Sequence, residues 1–215
     1  MKKIETTNLT DVVYERIKAM ILEGILVPGS KINKKDLAEA LAVSQTPINE
    51  AVSRLSGENL ITQKPRLGFF VREYDNKYLA DLFAVRGGLE SVALRLCVEE
   101  GSPADIKKLS TFFSSFSLPL KPSQETAYMD EDIAFHSAII EFAHVDLLKE
   151  FKASLGYILK TYEHGLVRPP SETLMEHKAI IEALEQGDGR KAEALLLEHH
   201  LASRKALLAT LPLYS

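Results

Sequence analysis

SQTPINEAVSRLSGENLITQKPRLGFFV, residues 44–71, is the stretch that decides the fold. Its first half reads as a helix starting near Ser44. Pro47 is tolerated in the first turn, where its missing N–H would have no intrahelical acceptor. Ile48, Ala51, Val52 and Leu55 then recur at helical spacing, with polar residues on the other face. Its second half holds two short runs rich in β-formers, Leu60-Ile61-Thr62-Gln63 and Phe69-Phe70-Val71. Between them lies the basic loop Lys64-Pro65-Arg66-Leu67-Gly68, and the pattern predicts a β-hairpin.

Two more helices are expected upstream. Thr10 is a suitable N-cap, and Val13, Ile17, Met20 and Ile21 follow on one face. Gly24 suits the stop, and Pro28-Gly29 marks a turn. A second helix begins near Asn33, with Asp36 three residues on in a capping arrangement and Leu37, Ala38 and Leu41 as its buried face. Three helices followed by a basic hairpin make a winged helix-turn-helix over residues 1–74. Such a unit binds DNA: the polar face of its third helix enters the major groove, and the hairpin reaches the flanking backbone.

After Tyr74 the pattern changes to helical segments at roughly 77–100, 103–117, 124–143, 146–164, 171–186 and 189–210. Gly101-Ser102-Pro103, Leu118-Pro119 with Pro122, His144, Pro169-Pro170 and Gly187-Asp188-Gly189 mark the breaks. No strand pattern interrupts them, so residues 75–215 are expected to form an all-α six-helix bundle. The fold class is mainly α.

Charge divides in the same place. Residues up to Tyr74 hold 11 Lys/Arg and 9 Asp/Glu, and the remainder hold 15 and 21; the balances of +2 and −6 give the net −4 of the chain. That asymmetry fits a DNA-facing module joined to an acidic regulatory one. Cys97 is the one cysteine, so no intrachain disulfide forms, which fits a reducing compartment. No apolar run approaches a membrane span, and no apolar core follows the two N-terminal lysines. A cytoplasmic location is expected.

The motifs taken together resemble a known family. Residues 24–29 (GILVPG), 35–39 (KDLAE), 43–51 (VSQTPINEA) and 68–71 (GFFV) are similar to the DNA-binding domain of the GntR family. Arg86 with Glu90, Asp132 with His136, Glu176-His177 with Ile180, and Gly187-Asp188 followed by His199 resemble the FCD effector domain of its FadR subgroup. Six C-terminal helices rather than seven would place it near the VanR-like branch. The resemblance implies a transcription regulator, not an enzyme, that binds an operator as a homodimer and responds to a small organic acid. It places DNA contacts at Lys35, Ser44, Gln45, Thr46, Asn49, Arg54, Lys64, Arg66 and Gly68. The family usually carries arginine where this chain has Gln45 and Asn49; these can pair with adenine but supply no charge.

Asp132 and His136 are four residues apart, so a helix projects both from one face. His177 and His199 lie on the last two expected helices, which can fold back on that face. One carboxylate and three imidazoles suit a divalent transition metal such as zinc or nickel. The resemblance implies these four as ligands, with the effector carboxylate nearby. An Asp–His pair at this spacing is also a common surface ion pair, and His200 competes with His199 for the ligand position. His144 and His164 fall near helix ends, where capping explains them. Arg86 is either a fork for the effector carboxylate or an internal partner of Glu90, and Arg54 is either a DNA contact or a partner of Glu50. The rival reading is a metal-dependent hydrolase or isomerase with Glu131 or Glu176 as base. Against it, the chain has no His-Glu-x-x-His run, nucleophile elbow or Gly-rich phosphate loop.

Overall fold

Residues 9–150 and 167–211 are described in the structure, a computed structural model. Backbone contacts divide them into two units, one ending at Glu73 and the other beginning at Tyr74.

The first unit runs α1 (Leu9–Leu22), β1 (Lys31–Ile32), α2 (Lys34–Ala40), α3 (Gln45–Gly57), β2 (Ile61–Lys64) and β3 (Gly68–Val71). Helix α1 buries Val13, Tyr14, Ile17 and Ile21, and α3 buries Ile48, Ala51, Val52 and Leu55. These faces pack on each other and on Leu37, Leu60, Ile61 and Val71 as a single core. Thr10 is not the N-cap, because α1 already includes Leu9; its hydroxyl instead donates to Glu50 Oε2 at 2.7 Å. Asn33 does cap α2, its side chain accepting from the Lys35 and Asp36 N–H groups. The wing has three strands in the order β1-β3-β2, all antiparallel. The hairpin pairs Ile61 with Val71 and Lys64 with Gly68, and the added strand pairs Lys31 with Phe70. A two-residue strand is too short to show alternation, so only the hairpin was legible beforehand. At the tip Arg66 has φ 61° and Gly68 φ 106°. The second of these is a backbone conformation that glycine adopts without steric cost.

The second unit contains α4 (Asn76–Glu100), α5 (Pro103–Leu109), a 3-10 turn (Pro122–Gln124), α6 (Glu125–Phe142), α7 (Pro170–Glu185) and α8 (Gly189–Ala209). Asp75, Ser102 and Asp188 cap α4, α5 and α8 through their side chains. Helices α4 and α8 make the most extensive pairing. Asn76 donates to Thr210 at one end, and Arg95 reaches Glu193 at the other, so the two run antiparallel. The core is built on Leu94, Cys97, Phe113, Tyr128, Phe135, Ile139, Leu174, Ile180, Leu184 and Leu196.

The helix expected over 103–117 ends at Leu109. Beyond it Ser110 and Thr111 bond their hydroxyls back to the Lys107 and Lys108 carbonyls, and Ser114 to that of Thr111. Such local bonds compete with helix continuation. Phe113 sits at φ 57°, its N–H donating to Glu131, which drops its ring into the core. Of the expected 146–164 segment, residues 146–150 are helical and 151–164 lie outside the described residues, as does His164.

Candidate functional site

Helix α6 carries Tyr128, Asp132 and His136 at successive four-residue steps, so one face presents all three. Helix α7 does the same with Thr173 and His177, and α8 with His199 and Ser203. The fold brings His136, His177 and His199 together, with ligand nitrogens within 4.8 Å of one another. Asp132 Oδ1 lies 3.4 Å from His177 Nε2. All three imidazoles are buried.

Each of the three rings has its Nδ1 engaged. His136 Nδ1 lies 2.6 Å from Glu90 Oε2, and His199 Nδ1 lies 2.7 Å from Glu176 Oε2. A carboxylate only accepts, so in both rings Nδ1 carries the proton. His177 Nδ1 is 3.0 Å from the Tyr128 hydroxyl, which is 2.8 Å from Thr173 Oγ1. The Thr173 hydroxyl donates to the Pro169 carbonyl, so it accepts from Tyr128, and Tyr128 in turn accepts from His177. These assignments follow from the bonding network. They leave Nε2 as the lone pair on all three rings. Neutral imidazole oriented by an outer carboxylate or hydroxyl is the arrangement found around bound metals.

The donor set fits a metal. His177 Nε2 is buried and has no hydrogen-bond partner. It faces the Asp132 carboxylate, so two lone-pair atoms approach each other, a contact that a cation between them relieves. Burial, reinforced by the charges of the neighbouring histidines, holds the His177 pKa well below its usual value. Burial likewise lowers His199 despite its bond to Glu176. Both are therefore in the form that binds metal. The Phe113 ring stacks on His177 at a centroid distance of 4.3 Å and an interplanar angle of 8°, fixing its plane.

His200 is turned elsewhere. Its Nε2 donates to Glu90 Oε2 at 2.8 Å, leaving Nδ1 buried without a partner. Burial drives its pKa down to about 3. Glu90 thus holds His136 and His200 at once, and its second oxygen accepts from Arg86 Nε at 2.8 Å. Burial opposes ionisation of Glu90, yet Arg86, His200 and His136 hold its pKa well below the usual carboxylate value. Arg86 and Glu90 form the internal pair that the sequence left open beside the effector role.

Sequence reasoning missed Arg168. Its guanidinium grips Glu176 with both terminal nitrogens, at 2.6 and 2.5 Å, and its Nε donates to Ser203 Oγ at 3.1 Å. It also donates to the His199 carbonyl at 3.1 Å. Burial opposes ionisation of Glu176, but hydrogen bonds from Arg168 and His199 outweigh it and bring its pKa to about 2. So deep a pKa disqualifies Glu176 as a general base at neutral pH. Glu131, the other base considered, accepts the Phe113 N–H. His144 reaches across to Asp105 at 3.1 Å and does not cap carbonyls. Cys97 is a core residue whose thiol burial pushes up to about 12.

In the first unit Ser44, Gln45, Thr46 and Asn49 are exposed at the start of α3, and Lys64 and Arg66 at the wing tip beside Gly68. Lys35 is exposed on α2, 3.9 Å from Glu39. Arg54 is exposed but engaged on its own unit: it bonds Asp11 at 3.0 Å, approaches Glu58 at 3.6 Å and lies 3.8 Å over the Tyr14 ring. Its partners are Asp11 and Glu58, not Glu50 as the sequence suggested.

Comparison with known proteins agrees with these features. Residues 9–71 match the family of bacterial regulatory proteins described as gntR, and residues 81–202 match the FCD domain. The chain is 31% identical over 152 residues to the HTH-type transcriptional regulator McbR of Escherichia coli, covering 69% of this chain and 67% of McbR. It is 24% identical over 227 residues to the galactonate operon transcriptional repressor of Escherichia coli, covering 94% and 98% of the two chains. The solved structure of E. coli McbR/YncC superposes with a TM-score of 0.68 at 26% identity, covering 95% of this chain and 99% of that one. Relatives of this kind regulate transcription and do not catalyse, which removes the hydrolase or isomerase reading. No helix among the described residues is long and apolar enough to cross a membrane. The chain belongs to the GntR family of DNA-binding transcriptional regulators, as a member with an FCD domain.

Proposed function

We propose that the chain is a metal-dependent, carboxylate-responsive repressor that binds its operator as a homodimer. Asp132, His136, His177 and His199 hold zinc or nickel, and a small organic acid completes the metal's coordination. The observation that carries this reading is the convergence of three buried imidazoles, each with Nδ1 bonded outward, with Asp132 beside the Nε2 of His177. The metal would supply a fixed positive charge for the acid's oxygens. Arg86, one turn before Glu90, provides a guanidinium close to His136 and His200 for the acid's far end. Repression is the sign suggested by the name of the galactonate operon repressor.

The test is the melting temperature of chelator-treated protein, alone, with zinc or nickel, and with metal plus sugar acids and short carboxylates. Metal at about 1,000 times its Kd raises the midpoint by roughly 10 °C through mass action. One class of acid raises it further only when metal is present. No shift with any metal sinks the reading.

DNA contacts fall on Ser44, Gln45, Thr46 and Asn49 in the major groove, and on Lys35, Arg54, Lys64, Arg66 and the Gly68 backbone along the phosphates. Because Gln45 and Asn49 carry no charge, the wing supplies much of the electrostatic attraction. Replacing Lys64 and Arg66 by alanine is expected to flatten the slope of log K against log salt by about 2 per half-site. A titration over a salt series checks this, and an unchanged slope removes the wing from the interface.

A further inference from the structure

The exposed face of α3 offers a base amides and hydroxyls but no charge. Gln45 and Asn49 stand one turn apart, about 40° from each other round the helix, and both are exposed. Neither side chain has a partner among the described residues. Thr46 and Ser53 flank them and are exposed and small, so neither shields the amides. The carboxylate of Glu50 is taken by the Thr10 hydroxyl. Arg54, the one basic residue of α3, stands about half a turn round the helix from Gln45. Ser44, the N-cap, makes no side-chain bond to the helix. The first-turn N–H groups are therefore open to a phosphate, which would hold this end of α3 close to the base edges.

A primary amide presents an acceptor and donors side by side. The major-groove edge of adenine presents the complement, N7 as acceptor and N6–H as donor. Guanine presents two acceptors, so an amide meets it with one bond and sets its own oxygen against the other acceptor. Cytosine and thymine each offer one polar group there, too few for both halves of the amide. Arginine, which the family usually carries at both positions, has donors alone and forks onto guanine. Amides in its place change which base is read as well as removing charge. We infer that the operator half-site of this chain is built on two adenines, one held by Gln45 and the other by Asn49. In each pair the side-chain nitrogen donates to adenine N7, and the side-chain oxygen accepts from N6–H. Four residues of helix rise about 6 Å, and base pairs stack about every 3.4 Å. The two adenines therefore lie within about two base pairs of each other. This assignment rests on the placement of α3 in the major groove and adds the sequence read there.

The full chain is presented, in chelator and with zinc, with duplexes whose randomised core spans about 20 base pairs, two helical turns. Enriched half-sites are expected to carry adenine at both positions, and changing either to guanine is expected to weaken binding about 10-fold. Gln45→Ala is expected to lose the preference at one position alone, and Asn49→Ala at the other. Gln45→Arg is expected to turn its position from adenine to guanine. All three change exposed side chains, and far-UV circular dichroism checks that the helices persist. An enriched duplex is then remade with 7-deazaadenine, which lacks the N7 acceptor, at the Gln45 position. It is expected to bind the wild type about 5–10-fold more weakly and Gln45→Ala no differently from the unmodified duplex. Half-sites with guanine at both positions overturn the inference. So does an adenine preference that survives both alanine variants, which would be a reading of DNA shape. A library from which no sequence is enriched overturns the major-groove placement of α3 itself.

Discussion

Replacing His177 by alanine is expected to lower zinc or nickel affinity by at least about 100-fold, and His199→Ala by a similar factor. The direct loss of a nitrogen ligand exceeds the 10–100-fold typical of removing an outer partner. Glu176→Gln and Glu90→Gln, which keep size but weaken the hold on His199 and His136, belong in that smaller range. His144→Ala, at an exposed imidazole paired with Asp105, is expected to leave binding unchanged. Metal content after dialysis, with competition against a chromophoric chelator, reads all five. A further variant separates ligation from folding. The chelated protein keeps His177 Nε2 buried without a partner, and such an atom costs about 1–3 kcal/mol. His177→Phe puts an apolar ring against Phe113 in the same stack, so it should hold or raise stability in chelator while abolishing the metal-dependent rise. Unchanged metal stoichiometry in both alanine variants refutes the ligand assignment. A His177→Phe protein that melts far below the chelated parent would show that the imidazole serves the core instead.

The winged helix-turn-helix was legible because each element carries its own signal. Asn33, Pro47, Gly68 and the spacing from Ile48 to Leu55 are local features, and local physics sets them. The wing's third strand escaped because Lys31 and Ile32 are held by β3, a partner distant in sequence. In the second unit the breaks at Gly101-Ser102-Pro103 and Gly187-Asp188-Gly189 marked the starts of α5 and α8, but the end of α5 was not readable. Ser110, Thr111 and Ser114 could have signalled it, since a run of hydroxyls favours side-chain-to-backbone bonds over helix. Asp132 and His136 could be paired from sequence because they stand four residues apart on α6, whereas His177 and His199 were reached through the resemblance to the FCD domain. That spacing extends back to Tyr128, and α7 pairs Thr173 with His177 in the same way, so the hydroxyl relay was within reach of the same argument. Arg168 was not. It precedes α7 on an irregular segment, and nothing in its neighbours in sequence shows that Glu176, His199 and Ser203 will surround it.

Arg168→Ala is expected to destabilise the second unit by about 3 kcal/mol and to weaken metal binding without removing a ligand. The side chain is 7% exposed and donates two hydrogen bonds to the Glu176 carboxylate, one to Ser203 and one to the His199 carbonyl, with Glu172 at 3.6 Å. Breaking a buried pair by removing one partner costs about 3–5 kcal/mol, because the other charge is left uncompensated. The lower end applies because Glu176 remains 34% exposed, and water screens part of what the guanidinium gave up. Arg168→Lys tests the geometry apart from the charge. An ammonium cannot span both carboxylate oxygens and Ser203 together, so it should recover less than half of the loss. The pair Arg168→Met with Glu176→Gln removes both charges and should cost less than Arg168→Met alone, a coupling of about 0.5–3 kcal/mol. Urea denaturation in chelator measures stability, and chelator competition measures the metal. If Arg168 serves packing only, the double and single variants will differ by simple addition, and zinc affinity will not follow the Glu176 carboxylate. If it holds Glu176 against His199, metal affinity will fall in Arg168→Met even at temperatures where the variant is fully folded. The ring's Nδ1 partner would then have lost its anchor while the ligand itself remained.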